Sequence, residues 1–258
     1  RCRRSGRARR CRCCEHEAGA GVQAGMNRIL QIFERPRVLL PVIHACDEAQ
    51  VIDQATLAKK CGADGVFVIN QGGLDVAEVL DVAASLTAQF RGWFVGVNLL
   101  GVDPVDALAP LSKRPWIRGL WADDADSGMW ERRRVHWSSG VECERLFFGG
   151  VAFKGQRSIH ADHYGAVAKG AARCGVDVVT TSGPRTGTPP EVSKVAVMRE
   201  ALGDHALALA SGVTPENVGL FLPYVDAFIV ATGIEREFGD FDPARLSELA
   251  ATIHAWGP

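Results

Sequence analysis

Residues 206–234 constrain the fold more than any other stretch of the chain. They read Ala-Leu-Ala-Leu-Ala, then Ser211-Gly212-Val-Thr214-Pro215-Glu-Asn-Val218, and close on Val230-Ala-Thr-Gly233. Small apolar residues running into a glycine turn predict a buried strand at 206–210. Thr214 and Pro215 predict the N-cap and first position of a helix, and the apolar run to Val230 predicts a second buried strand. Two strands that each end in a glycine turn bring bare backbone N–H groups together, and a helix N-terminus adds positive potential, so the pair could hold a phosphate without a lysine. In a (β/α)8 barrel this arrangement belongs after strands seven and eight. The rest of the chain is therefore expected to supply six earlier units.

Strands are predicted at 38–43, 65–69, 93–97, 116–121, 145–153 and 176–181. Helices are predicted at 47–61, 74–89, 104–111, 160–174 and 189–202, with a short one near 129–136 and a closing one at 242–256. Within 74–89, the apolar residues Val76, Val79, Leu80, Ala83 and Leu86 mark one face. Eight strand–helix alternations predict an α/β fold, a single (β/α)8 TIM barrel over residues 26–258. An open doubly wound sheet is the alternative, but no G-x-G-x-x-G follows the first strand, which removes the main support for a dinucleotide site.

The first 25 residues differ from the rest. Seven arginines stand against Glu15 and Glu17, with Cys2, Cys11, Cys13 and Cys14, a composition that cannot bury a core. A disordered extension or a non-native leader is expected there, with Met26 as a natural start. Cys11, Cys13, Cys14 and His16 lack the second ligand pair of a zinc module. Beyond this segment, 22 basic residues face 28 acidic ones, which offers no footprint for nucleic acid. Cys46, Cys61, Cys143 and Cys174 are scattered singly, as in a cytoplasmic protein with reduced thiols. No apolar run is long enough for a membrane span.

Chemistry in a barrel sits where the strands end at the C-terminal face. The exits are His44, Asn70, Asn98, Asp123 with Asp124, Lys154, Thr181 with Ser182, Ser211 and Thr232. Lys154 suits an anion partner, a base or a Schiff-base nucleophile, or is an ordinary rim lysine. His44 suits general acid–base work, or is a hydrogen-bonded structural residue. Asp123 suits a carboxylate base, although Asp-Asp also starts helices. Asn70 and Asn98 suit orientation of substrate hydroxyls, because amides do not titrate. Ser182-Gly183-Pro-Arg-Thr186-Gly187 suits an anionic ligand, and Ser211, Gly212, Thr232 and Gly233 complete the expected cradle. A metal would need His44 and the aspartates to converge; neither metal nor cofactor is expected. Arg132, Arg133 and Arg134 read as a solvated helix face. Trp116, Trp121, Trp130 and Trp137 could form a docking surface or a satellite core.

These residues carry a resemblance. Gly62-Ala-Asp-Gly-Val66, Gly96-Val-Asn98, Lys154, Ser182-Gly183 with Thr186-Gly187, Ser211-Gly-Val-Thr-Pro-Glu-Asn-Val218 and Val230-Ala-Thr-Gly233 resemble the BtpA-type family, named for a factor in photosystem I biogenesis and including SgcQ-like proteins. The resemblance implies a phosphate-binding barrel. Some members look like assembly or stability factors, others like enzymes of undefined substrate. The chain departs from the pattern after His44, where Ala-Cys-Asp stands, at Gly155 after Lys154, and at Ala231 and Glu235 near strand eight. A carboxylate at Glu235 would repel a phosphate there unless it points away.

The leading expectation is an enzyme acting on a small phosphorylated or phosphoribosyl metabolite by isomerase, lyase or hydrolase chemistry, with Lys154 and His44 or Asp123 handling protons. A homo-oligomer is compatible with it. The rival is a non-enzymatic assembly factor for a protein complex such as photosystem I.

Overall fold

The central strands are apolar on both faces, which is what a parallel sheet needs when its inner face fills a barrel and its outer face carries helices. The computed structural model describes residues 27–125 and 145–257. In it, β1 (Val38–His44), β2 (Gly65–Ile69), β3 (Phe94–Asn98), β4 (Gly119–Ala122), β5 (Leu146–Gly150), β6 (Val178–Thr181), β7 (Ala206–Ala210) and β8 (Ala227–Val230) pair in parallel in chain order. β8 returns to β1, with Val38 opposite Ala227, and closes the ring. The barrel is therefore as expected. The segments expected at 1–25 and 129–136, with Trp130, Trp137, Cys143 and Arg132 to Arg134, lie outside the described residues.

Helices α2 (Glu48–Lys60), α3 (Val76–Gln89) and α4 (Pro104–Ser112) follow the first three strands; α5 (Tyr164–Arg173), α6 (Val192–Leu202) and α7 (Pro243–Ala255) follow β5, β6 and β8. Asp47, Asp75, Asp103 and Asp242 cap four of them by accepting backbone N–H groups of the first turn. Two elements carried no sequence expectation. A short helix α1 (Arg28–Phe33) precedes β1 and plugs the bottom of the barrel through Ile29 and through Phe33, whose ring lies 4.9 Å from Phe94. A hairpin of β9 (Glu235–Glu237) and β10 (Asp240–Phe241) follows β8.

The helix predicted from Thr214 is corrected. A turn over 215–217 and one short 3₁₀ turn, Val218–Leu220, stand there instead. Asn217 is the cause: its side chain accepts the Thr214 N–H at 2.9 Å and donates to the Gly212 carbonyl at 2.8 Å, which closes the loop on itself in competition with a helix.

The barrel interior is lopsided. Phe67, Phe94, Trp121 and Phe148 fill the β2–β5 side, whereas Ala206, Ala208, Ala210 and Ala227 line β7 and β8. The rings meet edge-on, Phe67 and Phe148 at 5.1 Å and Phe67 and Trp121 at 5.8 Å. They fit because the neighbouring strands offer Gly96 and Gly119; a Cβ on Gly119 would lie 2.7 Å from the Phe94 ring. Gly119→Ala is accordingly expected to cost about 1–3 kcal/mol by overpacking, measurable by urea unfolding.

The bottom of the barrel repeats one device. Asp64, Asp177 and Asp226 each stand directly before an even-numbered strand and accept the backbone N–H of the second residue of the preceding one, Leu39, Phe147 and Leu207, at 2.8, 2.9 and 2.7 Å. Before β4 the same place holds Arg118, whose own N–H bonds to Val95.

Candidate active site

Parallel register sets side by side the residues that leave adjacent strands. Asn98 pairs with Trp121 across β3 and β4, so Asp123, two residues on and on the same inward face, lies beside it. The Asn98 amide, 2% exposed, donates to Asp123 Oδ1 at 3.1 Å. Burial pushes the Asp123 carboxyl above the usual carboxylate range, opposed by the Asn98 hydrogen bond and by the charge of Lys154. Gln156, in the loop after β5, holds this corner: its amide lies 3.1 Å from the Asp123 and Gly150 carbonyls and 3.0 Å from Asp124 Oδ1.

Lys154 joins the corner from β5. Its backbone N–H donates to the buried Ser182 Oγ at 2.7 Å, and its ammonium donates to Thr186 Oγ1 at 3.2 Å. No carboxylate forms an ion pair with it among the described residues, so it stands as a cation with donors to spare. Below, the Lys194 ammonium donates to the carbonyls of Ala152 (2.6 Å) and Ser182 (2.8 Å) and fastens the β5 and β6 exits together. Burial lowers its pKa to about 8.

On the opposite side of the mouth His44, 7% exposed, meets Glu235 Oε1 through Nδ1 at 3.0 Å and stacks on Phe238 at 4.4 Å. Glu235 also accepts the Gly239 N–H at 3.2 Å. It is therefore turned toward β1 and held in the hairpin, which answers the repulsion raised by its position. Nε2 of His44 makes no hydrogen bond among the described residues, an arrangement that leaves one nitrogen free and the ring orientation fixed.

The structure gathers Asn98, Asp123, Lys154, Ser182 and Thr186 into one corner and leaves His44 apart. The Asn70 amide is committed to the backbone N–H and carbonyl of Leu100, at 2.6 and 3.2 Å. Around β6 to β8 the glycines are contact points between loops: Gly183 and Gly212 press against Thr188 and Pro189, Gly233 against the Val213 carbonyl, and Gly187 faces Thr232. Ser211 takes the left-handed region at φ 102°. Without a helix after Gly212, the expected cradle keeps its backbone turns and loses the helix-dipole contribution. Among the described residues no cluster of His, Cys, Asp and Glu is placed to hold a metal, and no helix is long and apolar enough to cross a membrane.

Sequence reasoning missed Gln156, Glu235 as a histidine partner, and Lys194. A signal existed for the last: a lysine in the first turn of a helix opposes the dipole and calls for another reason. Of the two described tryptophans expected near the fourth unit, Trp116 is 69% exposed and Trp121 is buried in the barrel, so these two do not share a surface.

The BtpA family profile matches residues 42–255. An uncharacterized protein of Thermococcus kodakarensis is 34% identical over 214 residues, 74% of this chain and 78% of that protein. A Pyrococcus horikoshii protein is 29% identical over 101 residues, and one from Pyrococcus abyssi 30% over 81; the matches span 39% and 31% of those proteins' lengths. Among solved structures, phosphoribosyl anthranilate isomerase of Thermotoga maritima shares the fold at TM-score 0.62 and 15% identity, covering 85% of this chain and 98% of that one. (S)-3-O-geranylgeranylglyceryl phosphate synthase of Thermoplasma acidophilum, in complex with sn-glycerol-1-phosphate, does so at TM-score 0.63 and 16% identity, covering 88% and 96%.

Proposed function

The chain belongs to the BtpA family, and from that premise we propose that it is an enzyme that binds a small phosphorylated or phosphoribosyl metabolite at the C-terminal mouth and moves protons on it. The observation that carries this reading is the half-buried Asp123, held by the buried Asn98 amide beside Lys154, which forms no ion pair among the described residues. A carboxyl pushed upward by burial and set against a free cation is poised for general acid–base work on a substrate whose anion the cation receives. The phosphorylated ligand of the Thermoplasma acidophilum synthase and the phosphoribosyl substrate in the name of the Thermotoga maritima isomerase support the substrate class.

In this reading Lys154 and Thr186 hold the phosphate, with Gly187 and Thr232 beside them. Asp123 exchanges the proton with substrate carbon or oxygen. His44, oriented by Glu235, serves as the second proton carrier from across the mouth. Reaction type then follows from which substrate bond lies between the two, within isomerase, lyase or hydrolase chemistry.

The test is a thermal-unfolding screen against inorganic phosphate, ribose 5-phosphate and glycerol phosphates. A ligand at about a hundred times its dissociation constant adds about 2.7 kcal/mol, which is roughly 5–10 °C for a domain of this size. No shift with any of them would refute the reading.

A further prediction concerns pH. Because Lys154 holds the Asp123 pKa down against burial, Lys154→Met is expected to raise it, so that the acidic limb of any activity profile controlled by Asp123 moves to higher pH. A limb that stays in place would show that the two groups do not interact.

A further inference from the structure

One short turn joins the two reactive groups of the corner. Phe153, Lys154, Gly155 and Gln156 form a β-turn, in which the Gln156 N–H donates to the Phe153 carbonyl at 3.1 Å and the Phe153 N–H donates back to Gln156 Oε1 at 2.8 Å. Gly155 takes the third position at φ 80°, in the left-handed region where such a turn favours glycine. Phe153 anchors the turn, buried against Trp121 with ring centroids 6.2 Å apart. Lys154, at the second position, reaches Thr186. Gln156, at the fourth, reaches back to the exit of β4.

The Gln156 amide nitrogen lies 3.1 Å from the carbonyls of Asp123 and Gly150 and 3.0 Å from Asp124 Oδ1, so its two hydrogens are fully committed. Among the described residues no other side chain hydrogen-bonds the Asp123 carbonyl. The Asp123 main chain lies directly on Gly150, where its carbonyl leaves no room for a Cβ, and the Ala125 N–H donates to the Gly150 carbonyl at 2.9 Å. The β4 exit is thus laid across β5 and stitched there by one side chain. We propose that Gln156 is the positioning residue of the site: through the Asp123 carbonyl it holds the carboxyl out of water, and through the turn it sets that carboxyl against the Lys154 ammonium. The inference rests on the reading of Asp123 as a proton carrier and Lys154 as the partner of the anion, and adds what fixes one relative to the other.

The test is a pH titration of the Asp123 carboxyl carbon by NMR in ¹³C-labelled full chain, with Asp123→Asn identifying the signal by its absence. Gln156→Met keeps the length of the side chain and removes the amide. It is expected to free the loop and admit water, so that the Asp123 midpoint falls toward the ordinary carboxylate range, because burial is the largest influence holding it up. The charged groups around Asp123 are Lys154 from β5 and, along the adjoining cleft, Asp103 and Asp124, and the substitution alters none of them. A double-mutant cycle reads the second half of the proposal. Lys154→Met raises the Asp123 midpoint in the wild type and is expected to raise it less in the Gln156→Met background, where the two groups are no longer held together. Gly155→Ala keeps Gln156 and strains only the turn, since nothing lies within 4 Å of the added Cβ, and is expected to lower the midpoint by a smaller amount. A merely structural Gln156 would lower the unfolding temperature and leave the Asp123 midpoint in place. An unmoved midpoint in Gln156→Met, or in Gly155→Ala should Gln156→Met not fold, would overturn the proposal, as would an equal Lys154→Met effect in the two backgrounds. Phosphate binding by the wild type is scored separately: its failure would remove the anion site and leave the carboxyl titration, which uses no ligand, standing.

Discussion

Asp123→Asn is expected to lower turnover by about 10²–10⁴-fold, the range set by loss of a positioned general acid or base. Stability is expected to hold or rise slightly. The wild-type carboxylate is desolvated, and burial is the largest influence on it, so a neutral amide of the same shape removes a cost of folding. The Asn98 amide keeps an acceptor, because the new side chain still presents a carbonyl oxygen where Oδ1 stood, 3.1 Å away. The contrast between activity and stability is what separates a catalytic carboxyl from a structural one. A variant that turns over the screened substrate at the wild-type rate would remove Asp123 from the mechanism. One that unfolds would show that the ionised carboxyl holds the loop.

The largest expected effect on stability lies at the other end of the barrel. Asp226 receives the Leu207 N–H at 2.7 Å and pairs with Arg199, with side-chain exposures of 17% and 20%. Arg199 in turn donates to the carbonyls of Tyr224 (2.7 Å), Gly203 (2.6 Å) and His205 (3.0 Å), so one guanidinium knits α6 to the starts of β7 and β8. Asp226→Ala leaves a half-buried guanidinium without its counter-charge and a backbone N–H without its acceptor. The expected cost is about 3–5 kcal/mol, or a fall of roughly 6–20 °C in the midpoint for a chain of this size. Asp226→Asn keeps an acceptor and is expected to cost less. Asp64→Ala removes the same kind of bond, but its arginine partner, Arg35, is 43% exposed, and its effect is expected to be smaller. Equal losses at the two sites would mean that the N–H staple alone, and not the arginine network, carries the energy.

The sequence held much of this barrel and the residues of its corner, but not the contacts that join them. Strand β7 falls where the Ala-Leu alternation puts it, and Asp47 and Asp242 cap the helices they precede, because caps and apolar runs are local signals. The strand exits are likewise local, and the barrel rule turns them into candidates. What was illegible depends on partners far along the chain. Glu235-Arg-Glu237 has no apolar alternation to announce a strand, and the pairing of Glu235 with His44 joins residues that only the closing of β8 on β1 makes neighbours. Gln156 gave no sign at all. Thr214-Pro215 looked like a helix start by every local rule, and Asn217 overrode it with two hydrogen bonds. The glycines after β6, β7 and β8 were legible as special positions, but their reason is loop-on-loop contact as much as room for a ligand.

The central claim is that the mouth receives a phosphorylated ligand at the corner formed by Lys154 and Thr186. Calorimetric titration of the wild type and of Lys154→Met with the best phosphorylated ligand from the thermal screen tests it most directly. Loss of one charge-assisted contact to phosphate is worth about 1.5–3 kcal/mol, so the variant is expected to bind at least tenfold more weakly while melting like the wild type. Equal affinity in the two proteins would place the anion elsewhere and contradict the account.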